Sequence, residues 1–174
     1  MYKKEEPDYD ALIFSWYKKA IGEDYFSKFV FMYLAFISFL RKKKFPQYNK
    51  DRQAIDALKK DGEVKNNFYE WYVKVDRQMQ VRIEGLIKEL KKLPLKNETD
   101  GQEKLVVINS IDDWDNIIEF IYIIRNNLFH GEKSPDSFRD YVMVQYAYEL
   151  INPIVSIFIR ELDLKRIYEE GKKD

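Results

Sequence analysis

A polar segment, RNNLFHG, follows a long apolar run in the second half of the chain. It contains Arg125, Asn126, Asn127 and His130, and His130 is the single histidine among the 174 residues. A guanidinium can hold a phosphate by two parallel hydrogen bonds, and an imidazole can carry a proton at neutral pH. Around one phosphodiester, Arg125, Asn126 and His130 would suffice for metal-free cleavage of RNA. His130 would transfer the proton, and Arg125 would stabilise the negative charge of the transition state.

The same residues also have a structural interpretation. An arginine near the C-terminal end of a helix often contacts the last carbonyl groups, and a histidine there often caps the helix. On a regular helix a rotation of about 140° separates Arg125 from His130, so their side chains would lie on different faces. Gly131 predicts that the helix ends at His130 or just before it, because glycine readily adopts the left-handed conformation of a helix cap. His130 could then turn back toward Asn126, and the spacing alone leaves both interpretations open.

A further structural interpretation has Arg125 held by a carboxylate of the same domain. Glu119 and Asp136 are near enough in sequence to be candidate partners. An Arg125 paired with an internal carboxylate would favour this interpretation. Arg125 and His130 both open to a cleft would favour an enzyme.

The composition limits the kinds of site that the chain can hold. There is no cysteine and one histidine, so we expect neither a metal centre nor a cofactor. The 30 basic and 30 acidic residues give a formal net charge of zero, whereas proteins that bind nucleic acid through bulk charge are usually basic. Contact with RNA would therefore depend on a local patch, with Asn127, Lys133 and Arg139 as candidate substrate-binding residues. The charged segment MYKKEEPDYD has no targeting pattern, which favours a cytoplasmic protein.

The spacing of apolar residues predicts helices almost throughout a single domain, 1–174. Asp8 is the expected cap of the first helix. The second, DYFSKFVFMYLAFISFLRKKK, is apolar on nearly every side, but its uncharged stretch from Phe29 to Leu40 is well short of the about 20 residues of a membrane span. We therefore expect a buried helix and no membrane association. A short helix over DRQAIDALKK, one long helix over VKNNFYEWYVKVDRQMQVRIEGLIKELKKL and a surface loop at 94–104 follow.

Two further helices are predicted around the polar motif. Asp112 or Asp113 is the expected cap of the first of them. Ser134 is the expected cap of the last helix, which should kink at Pro153. The stretch 117–124 is apolar on nearly every face and must be covered on more than one side. Either this helix is central to an all-α bundle, or a second copy of the protein covers one of its faces.

The segment RNNLFHGEK resembles the signature of the HEPN superfamily, which comprises all-α domains that typically carry an arginine, four to six residues and then a histidine. A polar residue often follows the arginine, as Asn126 follows Arg125, and four residues intervene before His130. The surrounding WDNIIEFIYIIRNNLFHGEK is also similar to HEPN families in which the motif ends a hydrophobic helix. This similarity covers Ser110 to Leu150, and YFSKFVFMYLAFISFL more loosely resembles an upstream core helix of such families.

The resemblance implies a HEPN-like helical bundle that forms a symmetric homodimer. Many HEPN proteins are metal-independent endoribonucleases in which two motifs face each other across a cleft and leave 2′,3′-cyclic phosphate and 5′-hydroxyl ends. It therefore implies an RNA substrate, with Arg125, Asn126 and His130 as catalytic residues. Many members are toxins or effectors of anti-phage defence, so an antitoxin or nucleotidyltransferase partner is a further expectation. Other HEPN domains are non-catalytic protein-interaction or nucleotide-binding modules, and this alternative stays open.

Overall fold

The computed structural model describes residues 7–22, 24–92, 95–96, 105–131 and 137–170. Nearly all of them are helical, which confirms the predicted all-α class. A π-helical turn, Leu40–Lys44, continues the second helix, and the two-residue strands β1 (Leu95–Lys96) and β2 (Leu105–Val106) pair antiparallel. The helices in chain order are α1 (Tyr9–Lys19), α2 (Tyr25–Phe39), α3 (Asp51–Lys59), α4 (Gly62–Lys74), α5 (Arg77–Lys91), α6 (Trp114–Phe129), α7 (Phe138–Ile159) and α8 (Leu164–Glu170).

Aspartate side chains begin several helices by accepting hydrogen bonds from backbone N–H groups of the first turn. Asp8 accepts from Ala11 (3.1 Å) at the start of α1, which confirms its predicted role. Asp76 accepts from Met79 (2.9 Å) at the start of α5. The single long helix predicted for this region is therefore wrong. The backbone of Val75 is extended between α4 and α5, because Asp76 offers the chain a cap that competes with continuation of the helix.

The helix that carries the motif and the helix after it begin differently. Asp113, one of the two predicted alternatives, directly precedes α6, but its side chain makes no capping hydrogen bond. The cap of α7 is Ser137, whose hydroxyl accepts from the backbone N–H of Asp140 (3.3 Å). The prediction of Ser134 as this cap is therefore wrong, and Ser134 itself lies outside the described residues. Helix α7 continues through Pro153 to its end at Ile159.

Helices α2, α6 and α7 form the centre of the bundle. Helix α2 contacts α1 and α7, and α6 contacts α3 and α7. The rings of Phe39 and Phe158 stack at 4.2 Å and join α2 to α7. In α6, the stretch 117–124 is buried within one chain except at Tyr122, which is half-buried. The central position of this helix in the bundle is therefore confirmed, and its apolar faces need no second copy to cover them.

Helix α2 is mostly buried in the core, as predicted. Within the described part of the chain, α7 is the one helix that is long and apolar enough to cross a membrane by length and composition. It is mostly buried inside the protein, and the core helix of a globular bundle meets the same criterion.

Within the predicted 94–104 surface loop, residues 95–96 form a short strand. Leu95 pairs with Val106 across β1 and β2, and both side chains are buried. Residues 97–104 lie outside the described residues, so the loop itself stays a prediction.

Candidate functional site

The C-terminal end of α6 has the geometry that the sequence predicts. His130 is the cap residue, with φ −87° and ψ 5°, and its backbone N–H donates to the carbonyl of Asn126 (3.0 Å). Gly131 has a φ of +74°, and its N–H donates to the carbonyl of Leu128 (3.3 Å). A left-handed glycine that closes a helix in this way leaves the preceding side chain at the corner of the fold. His130 accordingly lies on the surface.

Arg125 and His130 are not brought together within one chain. Helix α6 stays regular through Phe129, so the rotation of about 140° between the two positions is retained. No hydrogen bond joins the two side chains, and the imidazole makes none with any other residue that the structure describes. The two groups that could act on a phosphodiester therefore lie on different faces of α6.

The guanidinium of Arg125 extends from α6 toward α2 and α3. Its Nη1 donates to Oδ1 of Asn126 (2.9 Å), and its Nη2 lies 3.4 Å from Oδ2 of Asp51. The group also lies over the rings of Tyr33 (5.6 Å) and Phe129 (4.9 Å), as a cation does on an aromatic face. The side chain remains 28% exposed. Arg125 is thus partly held by the fold and partly open to solvent.

The same carboxylate binds a second arginine. Nη1 of Arg41 lies 3.0 Å from Oδ1 of Asp51, and Nη2 of Arg41 donates to the backbone carbonyl of Asn49 (2.6 Å). Asp51 is the first residue of α3, whereas Arg41 belongs to the π-helical turn after α2. We name Arg41, Asp51 and Arg125 the arginine pair site. Its two cations and one anion leave a net charge of one positive unit.

Sequence reasoning missed both Arg41 and Asp51 as parts of this site. Asp51 is 74 positions from Arg125, and no local pattern links them. The prediction of Glu119 as an internal partner of Arg125 is wrong, because Glu119 binds Arg52 and Lys59. Asp136 lies outside the described residues. In the sequence, Arg41 is simply the first of four consecutive basic residues, RKKK.

Three polar atoms around the arginine pair site are buried without a hydrogen-bond partner among the residues that the structure describes. They are the Nε atoms of Arg41 and Arg125 and the hydroxyl of Tyr33. Tyr33 is 1% exposed. Burial raises its pKa far above the ordinary value, and the charge of Asp51 raises it further, although Arg125 acts in the opposite direction. The phenol therefore keeps its proton, so all three atoms are hydrogen-bond donors.

A buried ion-pair network fixes α3 against α6 and so positions the arginine pair site. Glu119 in α6 accepts from Arg52 (2.8 Å) and from Lys59, both in α3. Arg52 also lies over the ring of Tyr122 (5.3 Å). Burial alone would raise the pKa of Glu119, but the hydrogen bonds from Arg52 and Lys59 outweigh it and hold this pKa below the usual range. The carboxylate is therefore charged in the folded protein.

The remaining predicted residues differ in their accessibility. Asn126 is buried and accepts from Arg125, and Asn127 is fully buried, which keeps its amide away from solvent. Arg139, in the first turn of α7, is exposed. Lys133 lies outside the described residues.

Two large aromatic side chains are exposed near the end of α6 and at the start of α7. Phe129, the last residue of α6, is 55% exposed, and Phe138, the first residue of α7, is 82% exposed. Exposed apolar side chains of this size are candidate contact residues.

Comparison of the chain with models of protein families, with curated proteins and with solved structures gave no match.

Proposed function

We propose that the protein is a metal-independent endoribonuclease of the HEPN type, acting in the cytoplasm as a toxin or an anti-phage effector. One observation carries the proposal. Arg125 is oriented by Asn126 at the end of a buried helix and remains partly open to solvent, while the cap residue His130 is exposed. These are the three residues by which the sequence resembles HEPN ribonucleases.

The chemistry follows from the side chains. His130 would accept the proton of the 2′-hydroxyl or donate one to the leaving 5′-oxygen. Arg125 would bind the non-bridging oxygens and stabilise the charge that develops on the pentavalent phosphorus. Asn126 holds Arg125 through the hydrogen bond of 2.9 Å. Attack by the 2′-oxygen yields a 2′,3′-cyclic phosphate and a 5′-hydroxyl end, and the residues themselves supply both the charge and the proton transfer.

A homodimer is part of the proposal. Since α6 is already covered within one chain, its apolar character does not support a dimer. Support comes instead from the exposed side chains of Phe129, in the motif, and Phe138, at the start of α7, and from the separation of Arg125 and His130 on α6. A symmetric cleft between two copies would allow Arg125 to act together with the partner's His130. An antitoxin or nucleotidyltransferase partner would then silence the enzyme by covering this cleft.

The test is cleavage of end-labelled RNA by the purified protein in EDTA, followed by analysis of the ends. We expect 2′,3′-cyclic phosphate and 5′-hydroxyl ends from the wild type, and no such products from Arg125→Ala or His130→Ala. Circular dichroism would check that both variants fold. Equal cleavage by all three proteins would exclude this motif as the active site.

The alternative is a non-catalytic HEPN module that binds a protein or a nucleotide. The ion pair between Arg125 and Asp51 favours it, because an arginine with an internal carboxylate has a structural partner. This ion pair is long, at 3.4 Å, and the shorter contact of Asp51 goes to Arg41, at 3.0 Å. Cleavage that depends on Arg125 would exclude the alternative.

A further inference from the structure

The arginine pair site has more donor capacity than its own acceptors can use. Two guanidinium groups share the single carboxylate of Asp51. The Nε atoms of Arg41 and Arg125 and the hydroxyl of Tyr33 are buried with no acceptor among the described residues. A buried donor without an acceptor destabilises the fold. Three such donors in one place point to an anion that the fold is built to accept.

The charges and the geometry indicate the class of that anion. A carboxylate and a phosphodiester both present two oxygens to a guanidinium in similar bidentate geometry. Asp51 already occupies this position toward Arg41 and Arg125, as an internal substitute for the ligand. The three residues are partly exposed, which provides a route for an anion from solvent. The arginine pair site has a net positive charge even with Asp51 in place, and its local positive charge rises if Asp51 moves away.

We propose that Arg41 is a second phosphate-binding residue of the site, and that Asp51 is an internal counter-ion which a phosphate of single-stranded RNA displaces from both arginines. This inference rests on the proposed function, since it takes RNA as the ligand. It adds Arg41, Asp51 and Tyr33 to the motif residues. Asp51 restrains binding in the free protein because it competes with the phosphate for Arg125.

The weak contact between Asp51 and Arg125 fits this competition. A donor–acceptor separation of 3.4 Å is long for a charged hydrogen bond, which is ordinarily below about 3 Å. The rotation of Asp51 away from Arg125 therefore removes little stabilisation. Tyr33 cannot follow it, because this ring is packed in the core between Phe29 and Phe36. The phenol would remain as a fixed donor for an incoming oxygen.

The test uses a fluorescent 2′-O-methyl RNA 12-mer, which lacks the nucleophilic hydroxyl and cannot be cleaved. Binding is measured by fluorescence anisotropy. At about 0.15 M salt we expect Asp51→Asn to bind about fivefold more tightly than the wild type, as the loss of roughly 1 kcal/mol of competing charge predicts. Arg41→Ala should bind about tenfold more weakly. The slope of log affinity against log salt is negative, and its magnitude should fall by about 0.7 in Arg41→Ala, the value for one phosphate contact to a single strand.

A second ion pair provides matched controls. Arg82 donates to Glu149 (Nε to Oε2, 3.1 Å) between α5 and α7. Glu149→Gln changes the net charge by as much as Asp51→Asn, and Arg82→Ala by as much as Arg41→Ala, so general electrostatics would affect both members of each comparison equally. If Asp51→Asn binds no more tightly than Glu149→Gln, the counter-ion role is overturned. If Arg41→Ala binds no more weakly than Arg82→Ala, or if no protein binds the 12-mer, the phosphate site is overturned.

Two further measurements distinguish RNA from a nucleotide as the ligand, and the phosphate site from the ribonuclease activity. ATP as a competitor distinguishes the sources of the phosphate group, since displacement of the 12-mer by ATP at a similar concentration would overturn RNA as the ligand. If the variants show the predicted binding pattern but the wild type does not cleave ordinary RNA, the proposed ribonuclease activity is excluded and the phosphate site is supported. If the wild type cleaves RNA but the variants do not show this binding pattern, the ribonuclease activity is supported and the phosphate site is excluded.

Discussion

Oδ2 of Asp51 lies 3.4 Å from Nη2 of Arg125, so the carboxylate at the start of α3 is a counter-ion of the motif arginine at the end of α6. Arg41 approaches the other oxygen of the same carboxylate at 3.0 Å. The motif is thus one part of a larger charged group that three segments of the chain assemble. The rigidity of this group depends on how firmly α3 is held against α6.

The first prediction concerns that contact between α3 and α6. Glu119→Gln should lower the free energy of unfolding by about 3 kcal/mol, because it leaves the charges of Arg52 and Lys59 without their buried partner. Urea unfolding at pH 7 measures the change. Glu84→Gln, which removes an exposed partner of Arg77, is the control and should change stability by less than about 0.5 kcal/mol. Equal effects of the two substitutions would contradict the assigned role of Glu119.

The second prediction concerns how the stability contributed by Glu119 depends on pH. The pKa of Glu119 is lower in the folded protein than its ordinary value of 4.5, so folding favours the charged form. Its contribution to stability is therefore complete above about pH 4.5 and is lost as the pH falls through the folded pKa. The difference in unfolding free energy between the wild type and Glu119→Gln should shrink as the pH is lowered from 7 toward 3. If the difference in unfolding free energy grows as the pH falls, the pKa of Glu119 is raised by folding, and the prediction is wrong.

The third prediction tests the cap of α6. Gly131→Ala should destabilise the protein by about 1 kcal/mol, because a φ of +74° is unfavourable for a residue with a Cβ atom. Apart from the chain neighbours, no atom of the described residues lies within 4 Å of the added carbon, so the effect comes from the backbone. Gly85→Ala is the matched control: it also adds a carbon into open space, but within a regular helix. It should stabilise the protein by up to about 1 kcal/mol. Thermal unfolding of both variants checks the opposite signs.

The fourth prediction concerns self-association. Phe138→Ser should weaken the proposed dimer by at least about tenfold, because it removes a large exposed ring at the start of α7. Multi-angle light scattering over a concentration series measures the change. Ile21→Ser is the control, since Ile21 is 67% exposed and lies after α1, away from the motif in sequence. A wild type that stays monomeric at the concentrations used for cleavage would count against a site shared by two copies.

Local signals account for the parts of the structure that could be predicted from sequence. Asp8 begins a helix and Gly131 ends one, each through a contact with a residue three positions away. Their residue types and positions in the sequence are therefore enough to predict these two helix ends. The burial of α2 and the central position of α6 follow from apolar residues on nearly every face. The carboxylate partner of Arg125 could not be found in this way, because the contact with Asp51 exists only after α3 and α6 pack. The break at Asp76 was missed because the apolar spacing continues across it and masks the capping signal.

The most direct test of the account is the rate at which the protein cleaves one labelled RNA in EDTA, compared between the wild type and His130→Ala. His130 is exposed, so its replacement should leave the fold intact, and the loss of proton transfer should slow cleavage by about 10²–10⁴-fold. Arg77→Ala, at an exposed position of α5, purified in the same way, controls for contaminating ribonuclease. The account predicts that Arg77→Ala cleaves like the wild type while His130→Ala does not. Equal rates in all three proteins, or no cleavage by the wild type over several classes of RNA, would contradict it.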